Sequence, residues 1–330
     1  MSTATSSPAP ASTGDNSRRT AVRDLLSSDR PYGVLLALIA LVIFFSIKSD
    51  VFFTGANLEN IGRQTTLVTI MAVGMTFIII SAEIDLSVAS ILKLSCVSAA
   101  LFMNDFSDNW ALGALVGIGV GALIGLVNGL LTTKLGIPSF LVTLGMLGVA
   151  KGIAFVITDT APVLVDNRTF WAVFYEGTIA GIPVPIVWTL IALAIGSVLL
   201  HLSTFGRKVY ATGGNATAAR YSGINTDRTK ILCFVLTGVL AGLASLIFTA
   251  QGHAARPDFA DGLELDVIAA VILGGTSLFG GRGTIIGTLI GSLIIGVLNN
   301  GLVLIGVSSS WQIAVKGFII ILAVALSKRR

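Results

Sequence analysis

The chain has 330 residues, 54% of them apolar and 12% charged, and a formal net charge of +4. That balance excludes a water-soluble enzyme and a disordered chain, and describes a polytopic membrane protein. Its two cysteines, Cys96 and Cys233, fall inside apolar stretches and suggest neither a disulfide framework nor a metal site.

Residues 1–30 are rich in Ser, Thr, Ala and Pro and read as a disordered cytoplasmic tail. Asp24 and Asp29 precede the first apolar run and no small-x-small cleavage site follows it, so no secretory signal is expected; Arg18-Arg19 lacks a twin-arginine context. A helix needs ~20 mostly apolar residues to cross ~30 Å of hydrocarbon. Ten segments qualify, some of them short: 32–47, 67–80, 88–103, 111–131, 139–157, 185–202, 231–250, 265–280, 284–303 and 311–326. The eighth is broken by Gly274-Gly275-Thr276-Ser277, so it either spans or re-enters. Residues 31–330 therefore read as one all-α transmembrane domain of about ten helices.

Orientation follows from the basic residues. With an inward N-terminus, inner segments hold Arg18, Arg19, Arg23, Arg30, Lys134, Arg207, Lys208, Arg220, Arg228, Lys230, Arg282, Lys328, Arg329 and Arg330, fourteen of the 21. Outer loops hold Lys48, Arg63, Arg168 and Arg256, while Lys93, Lys151 and Lys316 lie within spans. Both termini are thus expected inside.

The chain also carries a faint duplication. Glu83-Ile84-Asp85-Leu86 opens an apolar run followed by a helix ending Asn128-Gly129-Leu130; Glu264-Leu265-Asp266-Val267 and Asn300-Gly301-Leu302 repeat the pattern. Five helices per half is odd, so the halves, about 31–157 and 185–326, would be inverted repeats that rock about a central site. Lys151-Gly152 and Lys316-Gly317 are a weaker third match, at different depths in their helices. Gly113, Gly117, Gly121, Gly125 and Gly129 recur every four residues, with a shorter series at Gly283, Gly287 and Gly291; such ridges let backbones approach closely in lipid.

Carboxylates in a membrane are costly unless they sit at helix ends, face water or are paired. Asp85 and Asp266 are read as caps or loop partners at helix starts. Glu83 and Lys93 either line a translocation route or pair across it, and Lys93 can instead snorkel to the inner interface. Asn128, Asn299, Asn300 and Gln251 are uncharged hydrogen-bonding groups near span ends, suited to a polyol or sugar, or alternatively to binding helix to helix. The longest inner loop, 203–229, contains Gly213-Gly214-Asn215, then Ala216 to Arg220, then Ser222-Gly223. Asn215 as N-cap and Gly223 as terminator predict a short surface helix bearing Arg220, placed to transmit force from a cytoplasmic partner. No G-x-x-x-x-G-K-[ST] phosphate loop occurs, and His201 and His253 are far apart, so no nucleotide hydrolysis, catalytic triad, cofactor or metal site is read.

Met71-Ala72-Val73-Gly74-Met75-Thr76, Ile84-Asp85-Leu86-Ser87-Val88, Gly213-Gly214-Asn215, Ser222-Gly223-Ile224-Asn225, Leu273-Gly274-Gly275-Thr276-Ser277 and Leu298-Asn299-Asn300-Gly301-Leu302 resemble the permease subunits of bacterial ribose-type sugar ABC importers, over about residues 50–326. The resemblance implies a multi-pass protein of the bacterial cytoplasmic membrane. It also implies two permease copies, a cytoplasmic ABC ATPase subunit, an extracytoplasmic sugar-binding protein, and a coupling role for Asn215 to Ile224. Lys93 stands where the family pattern has a small or apolar residue, and Ala89 where it has Gly. The expected function is translocation of a monosaccharide or related polyol by alternating access. The rival is a stand-alone secondary transporter coupling ions through Glu83 or Asp85, with a channel more distant.

Overall fold

The computed structural model describes residues 32–327, so the expected tail and Lys328 to Arg330 lie outside the described residues. Thirteen helices follow in order among them. They are α1 (Tyr32–Lys48), α2 (Gly55–Ile80), α3 (Val88–Asp105), α4 (Trp110–Lys134), α5 (Ser139–Thr158), α6 (Arg168–Trp171), α7 (Val184–Ser197), α8 (Thr204–Gly214), α9 (Ala216–Tyr221), α10 (Thr226–Gly252), α11 (Leu263–Leu273), α12 (Ile285–Leu304) and α13 (Ser309–Ser327). Short π turns follow α6 and α7, the latter extending α7 to Leu202. Side-chain oxygens of Thr54, Asn109, Ser203, Asn215, Asn225 and Thr284 accept the first free amides of their helices, which fixes those starts.

Seven helices are long and apolar enough to cross a membrane among the described residues: α2, α3, α4, α5, α7 with its extension, α10 and α12. Two segments differ from the sequence reading. α2 begins at Gly55, twelve residues before the expected 67, because its first turns are polar: Arg63 pairs with Glu59 one turn earlier and donates to the Tyr175 carbonyl. Arg63 is therefore a helical residue and does not lie in a loop. The eighth segment holds only α11, eleven residues and so about 16 Å of rise. It ends at Gly274 and turns through Gly275 at φ +89°. At that length the helix alone is too short to cross ~30 Å of hydrocarbon.

α2 is the centre of the bundle, with every residue from Thr65 to Ile80 buried. It packs against α7, α10, α11 and α12, while α4 lies along α10. The glycine ridges explain how close these approaches are. A Cβ on Gly121 would stand 2.2 Å from the Gly238 carbonyl oxygen, and one on Gly125 would stand 2.3 Å from that of Phe234. On α12 the same test puts Gly287 2.1 Å from the Gly274 oxygen and Gly291 1.9 Å from that of Ala270. Two-residue strands β1 (Val163–Leu164) and β4 (Ala254–Ala255) pair antiparallel, joining the α5–α6 connection to the end of α10; β2 (Thr178–Ile179) and β3 (Ile182–Pro183) form a small hairpin.

Candidate translocation and coupling sites

The loop 81–87 joins α2 to α3 and carries Glu83 and Asp85. Asp85 is fully buried, and its Oδ1 accepts from the Ser87 amide at 2.8 Å and from the Ser87 hydroxyl at 2.6 Å. Asn128 of α4 donates to the same Ser87 Oγ at 2.9 Å. Asp85 thus turns the chain into α3, and Asn128 ties that turn to the next helix. Ser139 and Thr143 of α5 bond the Ile84 amide and carbonyl, so the loop is held from two sides. Asp85 Oδ2 and Asn128 Oδ1 find no partner among the described residues.

Of the alternatives for Glu83 and Lys93, a pairing of the two with each other does not occur. Glu83 pairs with Lys230 at the start of α10, whereas Lys93, buried in α3, pairs with Asp261 of the loop before α11. Snorkelling is excluded as well, since Lys93 is only 1% exposed. Lys151 of α5 reaches the same Asp261, at 2.8 and 3.0 Å. Burial pushes the Asp261 carboxyl up, but the bonds from Lys151 and Lys93 prevail and hold it below the usual carboxylate range.

Asp85 bonds Ser87, the N-cap residue of α3, and not the helix's own first amides, and Asp266 does not cap either. It lies in the first turn of α11, where Gly262 is the N-cap with no side-chain bond, and its carboxylate pairs with Lys316 of α13 at 2.9 Å. The duplicated acids therefore do different work because only one of them has a lysine opposite. Asn300 forms a reciprocal amide pair with buried Asn57 of α2, at 2.9 and 3.0 Å, which is binding between helices. Asn299 keeps a side-chain carbonyl without a partner among the described residues, and Gln251 is exposed at the end of α10. Sequence reasoning missed Asn57, Ser87, Lys230 and Asp261. The signal for Asp261 was present: three lysines inside spans each require a counter-charge.

The short helix expected after Asn215 is present. Asn215 Oδ1 accepts from the Ala218 amide at 3.0 Å and opens α9; Gly223, at φ +82°, closes it. Arg220 bonds Thr226 Oγ1 and Asp227 Oδ1, both at 2.6 Å, locking α9 to the start of α10. Arg220 and residues 223–227 line a depression of about 320 Å³, and Tyr221 beside it is 90% exposed. Ser222 is exposed and bonds back to Ala218. Gly214 is exposed, but Gly213 does not belong to that surface in the same way. Gly213 is buried, and a Cβ there would stand 1.6 Å from the Ile80 carbonyl oxygen, which itself accepts from the Gly281 amide at 2.9 Å. The loop is thus keyed directly into the end of α2.

Residues 57–324 match the family model described as branched-chain amino acid transport system / permease component. The chain is 45% identical over 300 residues to the ribose import permease protein RbsC of Bacillus subtilis, covering 90% of this chain and 92% of that one. It is 39% identical over 298 residues to the D-allose transport system permease protein AlsC of Escherichia coli, covering 90% and 91%. It is also 36% identical over 297 residues to the L-arabinose transport system permease protein AraH of the same species, covering 90% of each. No solved structure matches the chain.

Proposed function

Because this chain belongs to the branched-chain amino acid transport system / permease component family, we propose that it is the membrane-spanning subunit of an ABC importer. Its cargo is a monosaccharide or related polyol, moved by alternating access and powered by a separate ATPase. The observation that carries this is the near full-length similarity to permeases whose names specify ribose, allose and arabinose. Those names favour a sugar over ion-coupled secondary transport. The finer reading has ten membrane crossings or re-entries, two inverted halves (about 31–157 and 185–326), both termini cytoplasmic and a second permease copy. It is supported by the duplicated motifs and by the basic residues of the inner segments.

Coupling is assigned to Gly213, Gly214, Asn215, Arg220, Ser222 and Gly223. What supports it is a helix α9 standing off the bundle with an exposed Tyr221, rigidly keyed to α10 through Arg220 and to α2 through Gly213. A partner pressing on α9 then moves the end of the most buried helix. Asp85, Asn128, Asp266 and Asn300 position helices around the route. Glu83, Gln251 and Asn299 remain candidates to face it.

The test is reconstitution. The purified chain alone should hydrolyse no ATP and accumulate no sugar in liposomes, and addition of its ATPase and an extracytoplasmic sugar-binding protein should produce both activities. Uptake by the lone chain on a proton or sodium gradient would replace this reading with the secondary transporter.

A further inference from the structure

Lys93 is the sixth residue of α3 and Lys151 the thirteenth of α5. At 1.5 Å per residue, Lys93 stands about 7 Å from the start of its helix and about 18 Å from its end, and Lys151 about 18 Å and 10 Å. Both reach one carboxylate, that of Asp261, so the loop carrying it dips between the helices to their mid-depth. Asp261 nevertheless keeps a side-chain exposure of 63% and Lys151 one of 32%. A purely structural ion pair at that depth would be sealed, and charged groups open to lipid are strongly disfavoured. An aqueous face on this flank would meet both conditions.

The surroundings fit a small hydroxylated solute. Gly148 and Gly152 flank Lys151 on α5, and neither has an atom within 4 Å of where a Cβ would stand, so nothing else in this chain covers the helix at this point. Phe259, two residues before Asp261, stacks on Phe248 at 4.0 Å and is 38% exposed, offering an aromatic face. Glu264 lies within electrostatic reach of Lys93 and Asp261. An exposed carboxylate beside an ammonium presents acceptor and donor together, which matches adjacent sugar hydroxyls, while the aromatic face takes the C–H side of the ring.

We propose that Lys151 and Asp261, held in place by buried Lys93, form a sugar-contacting station inside the translocation route. The assignment rests on the sugar-importer reading and names the side of the protomer that faces the cargo. Asp261 accepts from sugar hydroxyls and Lys151 donates to sugar oxygens. Lys93 is a positioning residue that fixes the loop.

The experiment uses the complete importer, with ATPase and binding protein, in proteoliposomes. Lys151→Cys and Asp261→Cys are each exposed to a membrane-impermeant, positively charged methanethiosulfonate; the native Cys96 and Cys233 are buried, and the wild type controls for them. Modification of either introduced cysteine is expected, slowed about fivefold or more when ribose, allose or arabinose is supplied with ATP. Lys151→Cys, at a side chain already partly exposed, keeps the test available if Asp261→Cys does not fold. No modification in any state would place the cluster against lipid or a second copy and overturn the proposal, as would modification indifferent to sugar. A wild-type importer that takes up none of the three sugars would instead remove the sugar reading itself.

Discussion

Replacing Asp85 and Asp266 in turn separates two roles that the duplicated sequence presents as one. Asp85 supplies one oxygen to the Ser87 amide and hydroxyl, and Asn can supply the same oxygen. Asp85→Asn should therefore stay within about 1 kcal/mol of wild type, while Asp85→Ala orphans a buried amide and loses a second bond, costing about 2–4 kcal/mol. Asp266 instead neutralises Lys316, whose side chain is 25% exposed. Breaking a fully buried pair from one side costs about 3–5 kcal/mol, and the partial exposure of Lys316 reduces this to about 2–3 kcal/mol for Asp266→Asn. Adding Lys316→Met to Asp266→Asn should recover most of the loss, because no charge is then left unpaired. The assay is the apparent melting midpoint of purified protein in detergent, with about 1–3 °C expected per kcal/mol for a chain of this size. Asp266→Asn as mild as Asp85→Asn would refute the distinction. A folded Asp85→Asn dead in transport would show that the carboxylate is needed for its charge.

Gly125→Val should destabilise by about 3 kcal/mol or more, since its side chain would meet the Phe234 carbonyl, while Gly145→Ala, with open space beyond it, should leave the melting midpoint near wild type. Asn57→Ala and Asn300→Ala should each cost about 1–3 kcal/mol, and the double variant should cost clearly less than their sum, as a melting-based double-mutant cycle would show. Arg220→Glu repels Asp227 and frees α9. Expression and melting should change little, yet sugar uptake per ATP hydrolysed should fall about tenfold in the reconstituted importer; wild-type coupling would show α9 to be idle.

Apolar length and cap chemistry made most helices legible in the sequence. Asn215, Gly223 and the glycine ridges were readable for the same reason: each works through its own backbone neighbourhood. The start of α2 was not readable, because Glu59 and Arg63 form a polar helical turn that hydropathy passes over. Ion-pair partners were hidden for a different reason. Lys93 and Asp261 are 168 residues apart, and Glu83 and Lys230 are 147 apart, so only the packed bundle decides which charge meets which. The repeated sequence motif proved misleading for the same residues. Two acids in matching motifs acquired unlike partners once α13 placed Lys316 beside one of them.

The glycine contacts between α4 and α10 have a mechanical consequence. α4 belongs to the first motif copy and α10 adjoins the second, and they touch backbone to backbone at Gly121–Gly238 and at Gly125–Phe234. Rolling one helix over the other would drive peptide groups into contact at once, so this seam is a weld and cannot act as a hinge. A moving seam needs surfaces with slack. On α5, Gly145, Gly148 and Gly152 all face open space, so no weld of this kind forms on that side of the helix.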